Sequence, residues 1–226
     1  MSRRLIRVSL VQDGAVDAND LKVLAGYIGQ EVNDPTLITH WALDETAGIV
    51  AADSVGGNNV TMQGDPAWQP ADGKIGGALA FDGKDDYGCS AEPVLDPSRG
   101  PFSVIAWVKT TTAGRIIISQ AAGADWLYLD QDGKLATGLT SSGRFANPLT
   151  SSTLMTDDQW HRVVFTWDGT NRTLQMDGVE VARDAQLSLA ASSGKLNIGA
   201  GKTLAATSRW IGLIDDIRIY NRAVAP

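Results

Sequence analysis

The sequence predicts an all-β fold, an antiparallel sandwich of two sheets of the jelly-roll kind, behind a short N-terminal helical segment. Three observations carry this. From residue 37 onward, short runs of alternating apolar and polar residues are separated by Gly, Asn, Asp and Ser clusters at intervals of about 8–12 residues. Two of the interruptions, "QDGK" at 131–134 and "MDGV" at 176–179, are Asp-Gly hairpin turns. No amphipathic helix of any length appears after residue 36, and many short strands with tight turns indicate a sandwich.

The elements follow in order. In "DANDLKVLAGYIGQEV" Asp17 and Asp20 stand where a helix N-terminus favours negative charge. Leu21, Leu24 and Ile28 recur on one face, and Pro35 closes the segment. Strand-like runs then follow: "LITHWAL", "GALAFDG", "DYGCSA", "FSVIAWVKT", "GRIIISQ", "WLYLDQ", "KLATGL", "WHRVVFTWDG", "RTLQMDGVEVAR", "KLNIGA" and "GLIDDIRIY". The chain divides accordingly into 1–36 and 37–226, and its 226 residues suffice for one sizeable domain with a small appendage.

Composition excludes several classes. The formal net charge of −7 argues against nucleic acid, whose binders carry a basic stripe. It suits acidic loops that hold calcium. No apolar run approaches the length of a membrane span, so no membrane insertion is expected. The opening "MSRRLIRVSLVQDGAVD" lacks the apolar core and cleavage site of a signal peptide. The chain is therefore either cytoplasmic or a piece of a longer secreted protein. Lone Cys89 rules out an internal disulfide and reads as a small core residue.

The motifs "HWALDETAG", "AADSVGGNNVTMQG", "GALAFDGKDDYG", "PFSVIAWVKT", "DQWHRVVFTWDG…LQMDGVEV", "LNIGAG" and "GLIDDIRIYNRAV" resemble, in this order, the laminin-G-like, concanavalin-A-like jelly-roll domains of bacterial extracellular proteins. The likeness runs through 37–226. It implies a two-sheet jelly roll, and a secreted or cell-surface location as part of a longer chain. Function is implied only broadly, because the fold hosts lectins, adhesion modules and glycosidases. The N-terminal "DGAVDANDLKVLAGYIG" is similar to half of a dockerin repeat, with Asp13, Gly14, Asp17 and Asp20 at the fifth, sixth, ninth and twelfth loop positions. Ser9 and Val11 stand where the first and third oxygen ligands belong. The segment reads as a degenerate half-repeat or as an acidic start to a packed helix.

Candidate sites are of two kinds. In "GLIDDIRIY" strict alternation puts Asp215 on the face of Leu213, Ile217 and Ile219, turned inward beside Asp216. A buried carboxylate costs several kcal/mol, on the order of a folded domain's margin, so it must be protonated, paired or bound to metal. The loop 44–59 offers Asp44, Glu45, Asp53, Asn58 and Asn59. The resemblance implies a structural calcium at one end of the sandwich, between an acid of the first strand and one near the last. Asp44, Glu45, Asp53, Asp215 and Asp216 are its candidate ligands, and a hydrogen-bonded Asp215 without metal is the competing reading. Asp82, Asp85 and Asp86 in "FDGKDDYG" read as a solvated turn, with a second metal as the lesser alternative.

The second kind is a binding face. Trp41, Trp107 and Trp160 alternate with apolar neighbours and read as core, whereas Trp167 is ambiguous. In "DWLYLDQDG", Leu127 and Leu129 take the inward face. Trp126, Tyr128 and Asp130 then share the outward one, as a platform on which a sugar ring stacks. Trp68 and Trp210 are loop-borne candidates, and Arg144, Phe145 and Asn147 are candidates for its rim. Catalysis has little support. No Glu-x-Asp-x-x-Glu strand is present to supply paired carboxylates, and the two histidines, His40 and His161, stand in no catalytic motif. The sequence therefore supports a non-catalytic binding or adhesion module of a larger secreted protein. Its expected partner is a glycan or an extracellular protein. A structural spacer and a glucanase-type enzyme are the alternatives.

Overall fold

The computed structural model of the chain describes residues 34–141 and 147–224, so the expected N-terminal helix and half-repeat, and rim candidates Arg144 and Phe145, lie outside the described residues. Residues 36–226 group by contacts as one unit. Among the described residues no helix is long and apolar enough to cross a membrane.

Among the described residues, sixteen strands form two antiparallel sheets of eight. They are β1 Leu37–Trp41, β2 Val50–Ala51, β3 Val60–Gln63, β4 Ala67–Gln69, β5 Ala78–Asp82, β6 Tyr87–Ser90, β7 Phe102–Lys109 and β8 Ile116–Gln120. The second half continues with β9 Asp125–Leu129, β10 Lys134–Thr137, β11 Leu149–Leu154, β12 His161–Trp167, β13 Asn171–Met176, β14 Val179–Ala185, β15 Leu196–Ile198 and β16 Ile211–Tyr220. One sheet runs β14-β13-β12-β7-β16-β5-β4, with β1 also on β16; the other runs β11-β10-β9-β8-β15-β6-β3-β2. The first strand therefore lies against the last, with His40 opposite Arg218 and Trp41 opposite Ile217. The "MDGV" turn joins β13 to β14 with positive φ at Asp177 (53°) and Gly178 (81°), the backbone that a two-residue hairpin needs.

Inward faces of the two sheets meet in one core. Trp41, Phe102, Val104, Trp126, Phe165, Trp210, Ile214, Ile217 and Ile219 are among its members. Phe102 lies 5.4 Å from both Trp126 and Phe165, ring centre to ring centre, within the range of attractive aromatic pairs.

Register slips occur in several strand pairs, and two of them, in β9 and β16, correct an expectation. Along β9, Tyr128 faces Ile116, Leu127 faces Ile118 and Asp125 faces Ser119. Trp126 is passed over by the ladder, as the extra residue of a β-bulge. It and Leu127 are both fully buried, so Trp126 is a core residue and not part of an outward platform. Along β16 the register with β7 slips by one residue between Asp215 and Arg218, where Asp216 takes φ +48°. Before the slip Ile214 points into the core; after it Ile217 and Ile219 do. Asp215 therefore shares a face with Leu213 but not with Ile217 or Ile219, and stands opposite Trp107 on the outer side of the sheet. The tryptophans re-sort accordingly. Trp210 is core, while Trp107 and Trp160 are only half-buried.

Candidate functional site

The chain builds three polar constellations, and the first is a cavity. Three pieces of chain line an open cleft with a volume of about 580 Å³: residues 113–116 leading into β8, 128–131 at the end of β9, and 207–208 ahead of β16. Gly114 N donates to Asp130 O at 2.8 Å, which locks the first two segments together. Arg115 Nη1 donates to Thr207 O at 3.0 Å and ties in the third. Asp130 Oδ1 accepts from the amides of Asp132 and Lys134, both at 2.9 Å, which shapes the Asp-Gly turn. Tyr128 lines the cavity half-buried. Burial, with the charges of Asp125 and Asp130, pushes its phenol above the ordinary value. The wall thus combines one aromatic ring and Ile116 with Arg115, Asp130, Gln131, Thr207 and Ser208. That is the mixture of an apolar surface and a few polar groups that orients small ligands.

The second constellation surrounds Asp215. This side chain is fully buried, under the segment that leads into β5. Oδ2 accepts from Lys74 N at 2.7 Å and from Ile75 N at 2.8 Å, while buried Oδ1 has no partner. Asp44 reaches the same segment from the loop after β1, its Oδ1 accepting from Gly77 N at 2.6 Å. Gly76 is required here: it takes φ +74°, and a Cβ would collide with Asp44 Oδ1. Burial, opposed by the two amides and reinforced by the charges of Asp216 and Asp44, pushes the Asp215 carboxyl up to about 6. A desolvated acid with a second carboxylate nearby and one oxygen unmatched has a demand for positive charge.

The third constellation centres on Asp216 and Asp53. Asp216 Oδ1 accepts from Arg218 Nε at 3.0 Å and pairs with His40 Nε2 at 2.8 Å. Burial would raise its carboxyl, but the His40 and Arg218 contacts outweigh it and hold Asp216 below the usual range. His40 Nδ1 meets Ser54 Oγ at 2.9 Å. Asp53 gathers the loop: its Oδ1 accepts from His40 N and Val55 N, both at 3.0 Å, and its Oδ2 from Asn58 N at 3.1 Å. Glu45 Oε1 accepts from Ala52 N at 2.8 Å, and buried Glu45 Oε2 is unpartnered.

The structure thus divides the five acids expected to gather around one ion. Asp44 and Asp215 converge on residues 74–77, whereas Asp53 and Asp216 are drawn into hydrogen-bonded networks of their own. Of the expected sugar face, Tyr128 and Asp130 line the cavity and Trp126 does not. Arg115, Gln131, Thr207 and Ser208 carried no local signal, since the cavity joins segments as far as 92 residues apart. The carboxylates of Asp82, Asp85 and Asp86 come within 4.8 Å of one another, yet Asp82 bonds Lys84 and Asp86 accepts from the Asp82 amide, as a turn would have them.

Comparison with known proteins agrees with this architecture. No curated protein matches the chain. Among solved structures, the binding domain of Paraclostridial mosquitocidal protein 1 superposes with a TM-score of 0.67 at 13% identity, over 84% of this chain and 50% of that one. Domain 4 of AbnA, an extracellular GH43 arabinanase from Geobacillus stearothermophilus, solved with arabinotriose, gives 0.59 at 21% identity, over 84% and 95%. The botulinum neurotoxin D binding domain, solved with N-acetylneuraminic acid, gives 0.60 at 16%, over 84% and 48%. The chain spans about half the length of these toxin domains, and at such identities the likeness is one of fold. A laminin-G-type family model, described as the concanavalin A-like lectin/glucanase superfamily, matches residues 82–226. The chain belongs to that superfamily.

Proposed function

We propose that the domain is a non-catalytic carbohydrate-binding module of a larger extracellular protein, and that its glycan occupies the cavity beside Tyr128 and Asp130. The observation that carries this is the cavity itself. Its volume of about 580 Å³ falls inside the range of roughly 300–1,000 Å³ usual for small-molecule sites. The Tyr128 ring offers a surface for the C–H face of a sugar, and Arg115, Gln131, Thr207 and Ser208 offer hydrogen bonds to its hydroxyls. Neighbours solved with arabinotriose and with N-acetylneuraminic acid support a glycan as the ligand class.

Hydrolysis is disfavoured on geometric grounds. Ser54, His40 and Asp216 form a hydrogen-bonded chain of the kind that activates a nucleophile. The amides of Ser54 and of the residue after it are already committed, Ser54 N to His40 O at 3.0 Å and Val55 N to Asp53. With those two amides taken, the chain reads as a clasp between β1, β16 and the 53–58 loop.

A calcium ion bound by Asp44 and Asp215 is the second part of the proposal. The orphaned Asp215 Oδ1 fits it, and two carboxylates with the nearby loop supply the hard oxygen donors calcium takes. The ion would neutralise the buried acid and fix the segment before β5.

Titration calorimetry with arabinotriose and with N-acetylneuraminic acid tests the glycan site. Tyr128→Ala is expected to weaken binding about tenfold, with little change in melting temperature. Trp126→Ala is expected to destabilise by about 3 kcal/mol through a core cavity. Unchanged affinity in Tyr128→Ala, or no binding of either sugar, removes the assignment.

A further inference from the structure

The cleft beside Tyr128 has one cation in its lining, Arg115, and one acid, Asp130. Arg99, Arg172, Arg183 and Arg218 each meet a carboxylate of the chain. Arg115 meets none among the described residues, and its three nitrogens have different fates. Nη1 donates to Thr207 O at 3.0 Å, which pins the guanidinium against the 207–208 wall. Nε is buried without a partner. Nη2 also makes no hydrogen bond, yet it is not one of the sealed atoms. It therefore keeps contact with solvent, on a side chain that is itself half-buried. Nη2 is bonded to the same carbon as Nη1, so this open nitrogen, with its two N–H donors, lies at the junction of the 113–116 and 207–208 walls.

A second cation without a carboxylate follows directly in the chain. Arg209 comes after the lining residue Ser208 and is 8% exposed. Its Nη2 donates to Leu204 O at 3.2 Å, its Nε and Nη1 are buried and unmatched, and its guanidinium lies 4.3 Å from the centre of the Tyr87 ring. The 207–209 segment is thus met by two guanidiniums that no acid of the described residues neutralises. Asp130 does not fill that role: its Oδ1 is turned to the amides of Asp132 and Lys134, and it makes no ion pair with Arg115. A partly desolvated guanidinium with unused donors is matched best by a carboxylate.

We propose that the glycan of this cleft is acidic, and that its carboxylate accepts from Arg115 Nη2. The ligand class is a uronic or sialic acid, with its ring on Tyr128, its carboxylate at Arg115 and its hydroxyls toward Asp130 and Gln131. The inference rests on the carbohydrate reading of the cleft and adds to it the charge of the sugar. The Thr207 carbonyl holds the guanidinium before a ligand arrives, so little side-chain freedom is lost on binding. Because the cleft is open to solvent, salt should weaken the contact.

Titration calorimetry of the whole chain with two matched pairs tests it: methyl β-glucuronide against methyl β-glucoside, and N-acetylneuraminic acid against its methyl ester. In one pair at least, the acid is expected to bind about tenfold tighter than its neutral partner. That ratio should fall toward one in Arg115→Gln and be partly restored in Arg115→Lys. In the parent it should shrink as salt rises from about 0.05 to 0.5 M, a readout that needs no variant to fold. Equal affinities within both pairs, or an acid preference that survives Arg115→Gln, overturn the inference and leave the carbohydrate reading standing. No binding of any of the four sugars overturns it too, and failure of arabinotriose as well removes the carbohydrate reading. An acid preference abolished by Arg115→Gln, with affinity untouched by Tyr128→Ala, upholds the charge and removes the ring stack.

Discussion

Asp215 and Asp216 are adjacent in the chain and almost equally buried, yet they sit in opposite electrostatic worlds. Asp216 is met by Arg218 and His40 and is held below the usual carboxylate range. Asp215 receives two backbone amides, no side-chain cation, and the repulsion of Asp44 and Asp216, and is pushed up to about 6. Burial is common to both; the presence of a nearby cation is what differs. One acid is complete as folded, and the other awaits either a proton or a metal ion.

The largest effect that would test this contrast is loss of the completed acid. Asp216→Ala leaves Arg218 and His40 without their shared carboxylate and should cost about 3 kcal/mol. That corresponds to a fall in melting temperature on the order of 10 °C. A shift of only a degree or two would mean that the network contributes nothing net.

Calcium is next. At a hundredfold excess over its dissociation constant, one ion bound only by the folded state stabilises by about 2.7 kcal/mol. Thermal melts in calcium and in chelator should differ accordingly for the parent and coincide for Asp215→Asn. Coincident melts for the parent would remove the ion and leave a protonatable acid.

Without calcium, the two acids should also give pH slopes of opposite sign. The carboxyl of Asp215 lies near 6 when folded and near 3.8 as its ordinary value, so the folded state holds the extra proton between them. Its contribution therefore declines as pH rises from about 4 through 6, by on the order of 2 kcal/mol. Asp216, with its value lowered, contributes above its unfolded value and loses that contribution as pH falls through its folded one. Urea melts of the parent and of Asp215→Asn at pH 4.5 and 7 isolate the first slope, and saturating calcium should abolish it. The smallest expected effect belongs to Ser54→Ala, which removes one exposed hydroxyl from His40 and should cost about 0.5 kcal/mol.

Much of the architecture was legible because it is written locally. The Asp-Gly turn at 177–178 demands positive φ, and alternation through "FSVIAWVKT" places Val104, Ala106 and Val108 in the core. The pairing of the first strand with the last came from family likeness. What alternation could not show is where it stops. A bulge costs one residue of register and leaves no composition signature, so Trp126 was turned outward on paper while the β9 ladder passes it over. The same slip in β16 moved Asp215 away from Ile217 and Ile219. The cavity was half legible. Tyr128 and Asp130 belong to one short run, but Thr207 and Ser208 arrive from a distant loop by folding alone.

The antiparallel pairing of β1 with β16 places Thr36 beside Asn221, whose amide donates to the Thr36 carbonyl at 2.9 Å. Tension applied through these two residues would therefore load the ladder from one end, rupturing its bonds in succession. Such a geometry yields at lower force than one in which all bonds are sheared together. Pulled between two anchored surfaces, the domain would shed β1 first and carry His40 away from Asp216 before the sandwich opens, a step that single-molecule stretching should resolve as a short early extension.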